Sequence, residues 1–491
     1  MSASVTTTQS PTLTWQNASG VTGAAVDICM DRACSMLVAT ANVVGSSYTL
    51  SSPLAAGVYF WRLRGRVGSS TGVTYSPAWE ITVPARSGAF DSSYGQGLRD
   101  VDGDGYSDVA LGNSVVSTER VFIFRGRSAG LAVSPDYTLS AGYASSRYGQ
   151  TIALTDINRD GFADVVVGEP GYMSNTGRIH VHYGSAVGPA LTPSVSIAAP
   201  ADAAGSFGSR VHPIGDVNGD GYGDIAVGCA STRAYAFHGG ATGLSTTPAR
   251  SYSNGIYTRT DMNAIASGDF NGDGYSDFAL VPTSMPAFIY FGSSLGAPAT
   301  PGLSVGMPNY GRMVAGDFNG DGYADLVRTN NSQMLLFAGA PTGTYAQIST
   351  VTVPDVEGNA SFGNYLAVPG DLNGDGMDDL VIAASEASYG SGIGVGKVWV
   401  YMGGGAGFAS TPQQTIGNPT TTNYGLGWAL GMVGDVDGDG RVDVQIGTYG
   451  NESYFFAGIG GMFGIASTPT LTVYPPMGYT AMAWASALAT Q

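Results

Sequence analysis

The stretch DVDGDGYSD, Asp100 to Asp108, puts four carboxylates into nine residues. Like charges this close repel one another, so the stretch is a solvated acidic turn, a loop around a cation, or a pair of catalytic acids. One copy does not decide among these, but the chain repeats it. The motif returns as DINRDGFAD at Asp156, DVNGDGYGD at Asp216, DFNGDGYSD at Asp269, DFNGDGYAD at Asp317, DLNGDGMDD at Asp371 and DVDGDGRVD at Asp435. The intervals of 56, 60, 53, 48, 54 and 64 residues mark seven copies of one structural unit.

Each copy has the same surroundings. A short apolar segment precedes it (TIALTDI, YLAVPGDL) and another follows (ADVVVG, GDIAVG). A third segment is aromatic-rich and usually closes on glycine (RVFIFRG, RIHVHYG, KVWVYMGG), and a fourth follows a polar turn (PSVSIA, TLTVYP). Runs of four to eight residues rich in Val, Ile, Phe and Tyr, split by Gly and Asn, read as strands. Four antiparallel strands per repeat, set radially, describe the blades of a β-propeller. The expectation is therefore an all-β chain whose residues 88–491 form seven four-stranded blades.

Positions 1, 3 and 5 of the nonapeptide carry Asp or Asn in every copy, and position 9 is always Asp. Calcium takes six to eight hard oxygen ligands, which a tight loop supplies from alternate side chains and one backbone carbonyl. Glycine at position 6 permits the sharp turn, and variation at position 7 is expected where only its carbonyl is used. The candidate ligands are Asp100, Asp102, Asp104, Tyr106 and Asp108 in the first loop, and Asp156, Asn158, Asp160, Phe162 and Asp164 in the second. The third has Asp216, Asn218, Asp220, Tyr222 and Asp224, and the fourth Asp269, Asn271, Asp273, Tyr275 and Asp277. The fifth has Asp317, Asn319, Asp321, Tyr323 and Asp325, the sixth Asp371, Asn373, Asp375, Met377 and Asp379, and the seventh Asp435, Asp437, Asp439, Arg441 and Asp443. An EF-hand would need Glu at position 12, where Leu111 and Val227 stand. Of 37 acidic residues 23 belong to the motif, and up to seven Ca²⁺ would bring the net charge from −17 to −3.

Charged residues make up only 12% of the 491, and glycine reaches 74, a profile of short strands and many tight turns. Lys397 is the single lysine, and no basic stripe suggests nucleic acid. No run approaches the ~18 apolar residues of a membrane span, and no apolar leader core opens the chain. Residues 1–7 read as a flexible lead-in. Cys29 and Cys34 in CMDRAC are spaced for a bridge across a turn, which suits an oxidising compartment, although two free thiols fit the spacing too; Cys229 stands alone. His180 and His182 share a strand face and are a candidate transition-metal pair, against the commoner reading of packing within the sheet. Calcium accounts for the paired carboxylates, and no nucleophile elbow, phosphate loop or zinc signature is present, so the chain reads as a non-enzyme.

With these residues in view, the chain resembles the FG-GAP repeats of the integrin alpha-chain propeller. The aromatic–glycine pair of that family stands upstream of six loops, at Tyr94-Gly95, Tyr148-Gly149, Phe207-Gly208, Tyr310-Gly311, Phe362-Gly363 and Tyr424-Gly425, and is missing from the fourth repeat. Seven intact acidic loops depart from integrins, where only some blades carry them. Residues 8–84 resemble a fibronectin type III β-sandwich, with Trp15 and Trp79 as core and Leu54, Gly57 and Tyr59 as its corner before the strand carrying Trp61. Residues 477–491 resemble the start of an eighth repeat, and the guess is that they supplement the short first blade; the alternative is closure by residues 85–92 on the seventh.

The resemblance implies an extracellular or cell-surface interaction module presenting loops to a protein or matrix partner. The alternative is a carbohydrate-binding lectin, and a polysaccharide lyase is the third reading. In a four-stranded blade the acidic loops and the 3–4 turns share one face, while the 2–3 loops and blade-to-blade connections share the other. That second face carries the longest inserts and Tyr143, Tyr172, Tyr257 and Tyr389, the candidate ligand-contacting residues.

Overall fold

The apolar segments around each acidic motif become strands whose burial follows their place in the sheet. A computed structural model describes residues 4–94, 98–113, 119–140, 145–203, 205–229, 233–253, 265–281, 286–306, 312–330, 333–352, 362–363, 365–386, 394–420, 425–449 and 452–474. In the second repeat the strands Ile152–Thr155, Asp164–Glu169, Arg178–His182 and Val195–Ala198 pair antiparallel in chain order. The first two are buried along their whole length, and in the third only Arg178 is not. The last alternates between covered and open, as a half-solvated outer strand does. Apolar runs thus mark strands covered on both faces, and alternation marks the rim.

Five further four-stranded sheets of this order follow, within residues 210–252, 265–305, 313–352, 365–417 and 429–473. The first repeat differs. Val109–Asn113, Arg120–Phe124 and Tyr137–Leu139 make a three-stranded sheet, and no described residue supplies its expected first strand. Ser93–Tyr94, where that strand was expected to begin, pairs instead with Ser4–Thr6. The chain is all-β, with propeller-like repeats; among the described residues only Tyr172–Asn175 and Gly461–Phe463 are helical.

Apolar clusters join each sheet to its neighbours. Val121 and Ile123 of the first pack with Ile152 and Val165 of the second, and Val166 and Ile179 of the second with Ile225 and Phe237 of the third. Ala226 and Tyr252 continue to Phe278 and Tyr290, Ala279 and Ile289 to Leu326 and Phe337, and one cluster spans the last three sheets. Val109, Leu111, Phe122 and Phe124 then meet Val433, Val436 and Phe455, so the last sheet packs on the first.

In the N-terminal region Gly23–Cys29 lies between Leu37–Val44 and Gly57–Val67, and the latter also pairs with Trp79–Val83. A two-stranded sheet, Thr12–Thr14 with Ser47–Thr49, shares a core with it through Leu13, Leu50, Val26, Trp61 and Ile81. The Tyr59 hydroxyl donates to the Ala55 carbonyl at 3.1 Å, anchoring the corner. Residues 1–7 are not simply a lead-in. Ser4–Thr6 is a strand, parallel to Trp79–Val83, and Val5 is buried in the cluster of the last three sheets. Cys29 and Cys34 form a disulfide, with Cα atoms 5.1 Å apart. Residues 475–491 lie outside the described residues. Residues 88–90 rest on the seventh acidic loop, with the Ala89 amide donating to the Asp439 carbonyl, rather than extending the seventh sheet.

Candidate functional site

The seven acidic loops share one hydrogen-bond pattern, built mostly from backbone amides. At position 1 one carboxylate oxygen accepts the amide of the position-6 glycine at 2.7–2.9 Å in every loop, from Gly105 to Asp100 through Gly440 to Asp435. Those glycines have φ between +85° and +90°, a conformation L side chains rarely adopt. The position-5 carboxylate accepts the position-7 amide, as in Tyr106 to Asp104 at 3.1 Å and Arg441 to Asp439 at 2.8 Å.

Position 9 does a second job. One oxygen of each of these aspartates accepts the position-2 amide, and the other accepts a glycine amide at the end of the third strand. Asp108 holds Val101 and Gly126, Asp224 holds Val217 and Gly239, and Asp443 holds Val436 and Gly458, all at 2.8–3.0 Å. The closing glycine seen in the sequence therefore belongs to the loop. A Cβ on Gly292 would stand 2.3 Å from the Ser276 carbonyl and 2.8 Å from that of Val217 in the preceding repeat.

Successive loops are also tied to one another. In six of the seven loops the position-8 amide donates to the position-1 carbonyl of the preceding loop, as in Ala163 to Asp100 at 2.7 Å and Ala324 to Asp269 at 2.9 Å, whereas the Asp371 carbonyl accepts the Ser92 hydroxyl at 2.9 Å. Ser107 donates to Asp435 at 2.9 Å, so loop 1 is bound to loop 7 as loop 2 is to loop 1. Position 7 is more than a carbonyl. Phe162, Tyr275, Tyr323, Met377 and Tyr106 each cover the position-4 glycine of the preceding loop, Gly103, Gly219, Gly272, Gly320 and Gly438. Side-chain variation at position 7 hid this role, because any flat or flexible apolar group covers a glycine.

Burial sets the electrostatics. It pushes Asp100, Asp156, Asp317 and Asp435 up to about 6, Asp269 to about 7, and Asp164 and Asp325 to about 8. Asp108, Asp224, Asp277, Asp379 and Asp443 are raised well above the usual carboxylate range by the same desolvation. Among the described residues, two groups of three carboxylates converge within 4.8 Å, Asp100 with Asp102 and Asp108, and Asp435 with Asp437 and Asp439. Among the described residues three loops also carry a guanidinium, one of them Arg441, 3.9 Å from Asp439 in loop 7. Arg125 pairs with Asp102 and, at 2.9 Å, with Asp104, while Arg32 lies 3.6 Å from Asp216.

Arg32 comes from the disulfide loop of the N-terminal region. It donates to the carbonyls of Gly274 at 2.7 Å and Gly219 at 3.3 Å, and its guanidinium lies 4.5 Å from the Tyr275 ring centroid. From the other side Arg159, at position 4 of loop 2, donates to the carbonyls of Met30 and Val58. The N-terminal region thus covers acidic loops 2 to 4. Tyr172 lies in the 2–3 connection of repeat 2, with the Arg178 guanidinium 3.6 Å over its ring; Tyr143, Tyr257 and Tyr389 lie outside the described residues. Gly177 of that connection bridges Phe207 of the next repeat.

His180 and His182 do not converge on a common point. His180 bonds Ser196 at 2.8 Å and Glu169 at 2.7 Å, and His182 bonds Ala190 at 2.6 Å and Tyr148 at 2.9 Å, so all four ring nitrogens are taken. The order Ser196–His180–Glu169 resembles a proton relay, but Ser196 and His180 are direct cross-strand partners and Glu169 is also held by Arg178. Cross-strand packing accounts for the contact.

Known proteins share these repeats. Residues 216–280, 317–382 and 371–446 match the FG-GAP-like repeat, and 148–182 the FG-GAP repeat. Mouse integrin alpha-IIb is 37% identical over 89 residues, 18% of this chain and 8% of its own length. Integrin alpha-4 of Xenopus laevis is 34% identical over 140 residues, 26% of this chain and 13% of its own. Chicken integrin alpha-V is 28% identical over 197 residues, 36% of this chain and 18% of its own. The matches support an FG-GAP, integrin-alpha-like family for the repeat region, and the chain spans less than a fifth of these relatives' length. A crystal structure of a protein from Lactobacillus plantarum aligns with 77% of this chain and 97% of its own at a TM-score of 0.51 and 15% identity, a likeness of fold alone. No helix among the described residues is long and apolar enough to cross a membrane.

Proposed function

We propose that this chain is a calcium-stabilised extracellular interaction module, a seven-bladed FG-GAP propeller with a fibronectin type III-like domain at its N-terminal side, and not an enzyme. The observation that carries the reading is the recurrence of one acidic loop geometry seven times, with loop 1 bound to loop 7. The donor set fits a hard divalent cation. It is all oxygen, it is buried enough to resist ionisation, and Asp102 Oδ1 is buried with no hydrogen-bond donor. Side chains at positions 1, 3, 5 and 9 and the position-7 carbonyl would hold the ion, whose charge would keep the buried carboxylates ionised. The Cys29–Cys34 disulfide and the integrin likeness favour an extracellular or cell-surface setting.

The N-terminal domain covers part of the acidic-loop face, which leaves the 2–3 loops on the opposite face to meet a protein or matrix partner. Sugars are the second candidate ligand class for a module of this kind, and lyase activity the third. Screening the chain on arrays of matrix proteins and glycans, with turnover of acidic polysaccharides assayed in parallel, separates the three. A protein ligand whose binding weakens in Tyr172→Ala with Tyr389→Ala, at unchanged Tm, supports the reading. Binding that survives both changes but is lost on altering the acidic-face turns would overturn this assignment and put the partner on the acidic-loop face.

A further inference from the structure

A cavity of about 410 Å³ lies between the N-terminal domain and the acidic loops of repeats 4 and 5. Its aromatic lining is Trp15, Trp61, Trp79 and Tyr75 on one side and Tyr323 on the other. Both parts contribute to its lining, and its size lies within the ~300–1,000 Å³ of small-molecule sites. Trp61 and Trp79 pack in a tilted contact with centroids 4.8 Å apart at 44°, so two ring planes are fixed beside the space. Tyr75 is held by the guanidinium groups of Arg62 and Arg64, 3.7 and 4.6 Å from its ring centroid.

The remaining polar lining includes Gln16, Thr14 and Thr74. Flat apolar faces beside short polar groups that both donate and accept suit a sugar ring, which has C–H faces and a hydroxyl rim. Among the residues lining the cavity there is no lysine or arginine, which disfavours an acidic ligand.

We propose that this cavity binds a neutral pyranose, as a mono- or disaccharide. The site lies on the acidic-loop face and does not rest on the protein-partner reading of the opposite face. Its test is saturation-transfer NMR and calorimetry of the full calcium-loaded chain against methyl glycosides and disaccharides of neutral hexoses and N-acetylhexosamines. At least one is expected to bind saturably, with affinity about tenfold or more weaker in Trp15→Ala. Because Trp15 also supports the domain core, Ala18→Trp serves as the second variant; it fills the mouth from an exposed position and should abolish binding at unchanged Tm. The proposal is overturned if no neutral saccharide binds at millimolar concentration, if only uronic acids bind, or if affinity is unchanged in both variants.

Discussion

Asp443 shows how one residue holds a loop twice. Its two oxygens accept the amides of Gly458 and Val436 at 2.8 and 3.0 Å, and it is also a proposed calcium ligand. Asp443→Ala would leave two buried N–H groups unpaired, at about 1–3 kcal/mol each, with or without calcium. Asn218, at position 3 of loop 3, is less buried and clamps no strand, so Asn218→Ala should lower Tm in calcium and scarcely in chelator. Thermal melts of both variants in each condition check this; equal sensitivity of Asp443→Ala and Asn218→Ala to chelator would remove the backbone role. The spacing of the aspartates was legible in the sequence because it is local. The reason for the closing glycines was not, since the carbonyls that exclude a Cβ belong partly to the preceding repeat.

At the scale of elements, the disulfide loop acts as a plug. Cys29 and Cys34 close a short loop that carries Arg32 onto the carbonyls of Gly219 and Gly274, beside Asp216. Arg32→Ala should therefore loosen the N-terminal domain while leaving the repeat sheets intact. Tryptic cleavage after Arg86, in the segment joining the two parts, is expected to quicken severalfold at nearly unchanged Tm of the repeats. Equal cleavage rates would mean that the interface does not depend on this side chain. The strands of six sheets were legible from apolar runs and turn residues. The first strand of repeat 1 was not, because Ser93–Tyr94 pairs with Ser4–Thr6, a partner distant in sequence and short enough to pass for a tail. The docking of the N-terminal domain was equally hidden, since Arg32 and Arg159 look like any surface arginine until the two parts meet.

For the whole molecule, the seven loops gather buried carboxylates, which the proposed reading fills with calcium. Calcium tenfold above the Kd contributes about 1.4 kcal/mol per site, so seven such sites would give about 10 kcal/mol, comparable to the ~5–15 kcal/mol stability of a domain. Without calcium the sign of the pH dependence follows from burial. Acids raised from 3.8 to about 6–8 in the folded chain contribute stability fully below pH 4, and lose it as the pH climbs through their folded values. Calcium would bind the ionised form and gain affinity over the same range. Magnesium, smaller and reluctant to dehydrate, should replace it poorly.

The most direct measurement is thermal unfolding in excess chelator from pH 5 to pH 8, repeated after calcium or magnesium is restored. Calcium-stabilised loops predict a large fall in Tm on chelation that deepens as the pH rises, recovered by calcium and only weakly by magnesium. A melting curve unchanged by excess chelator across that range would contradict them.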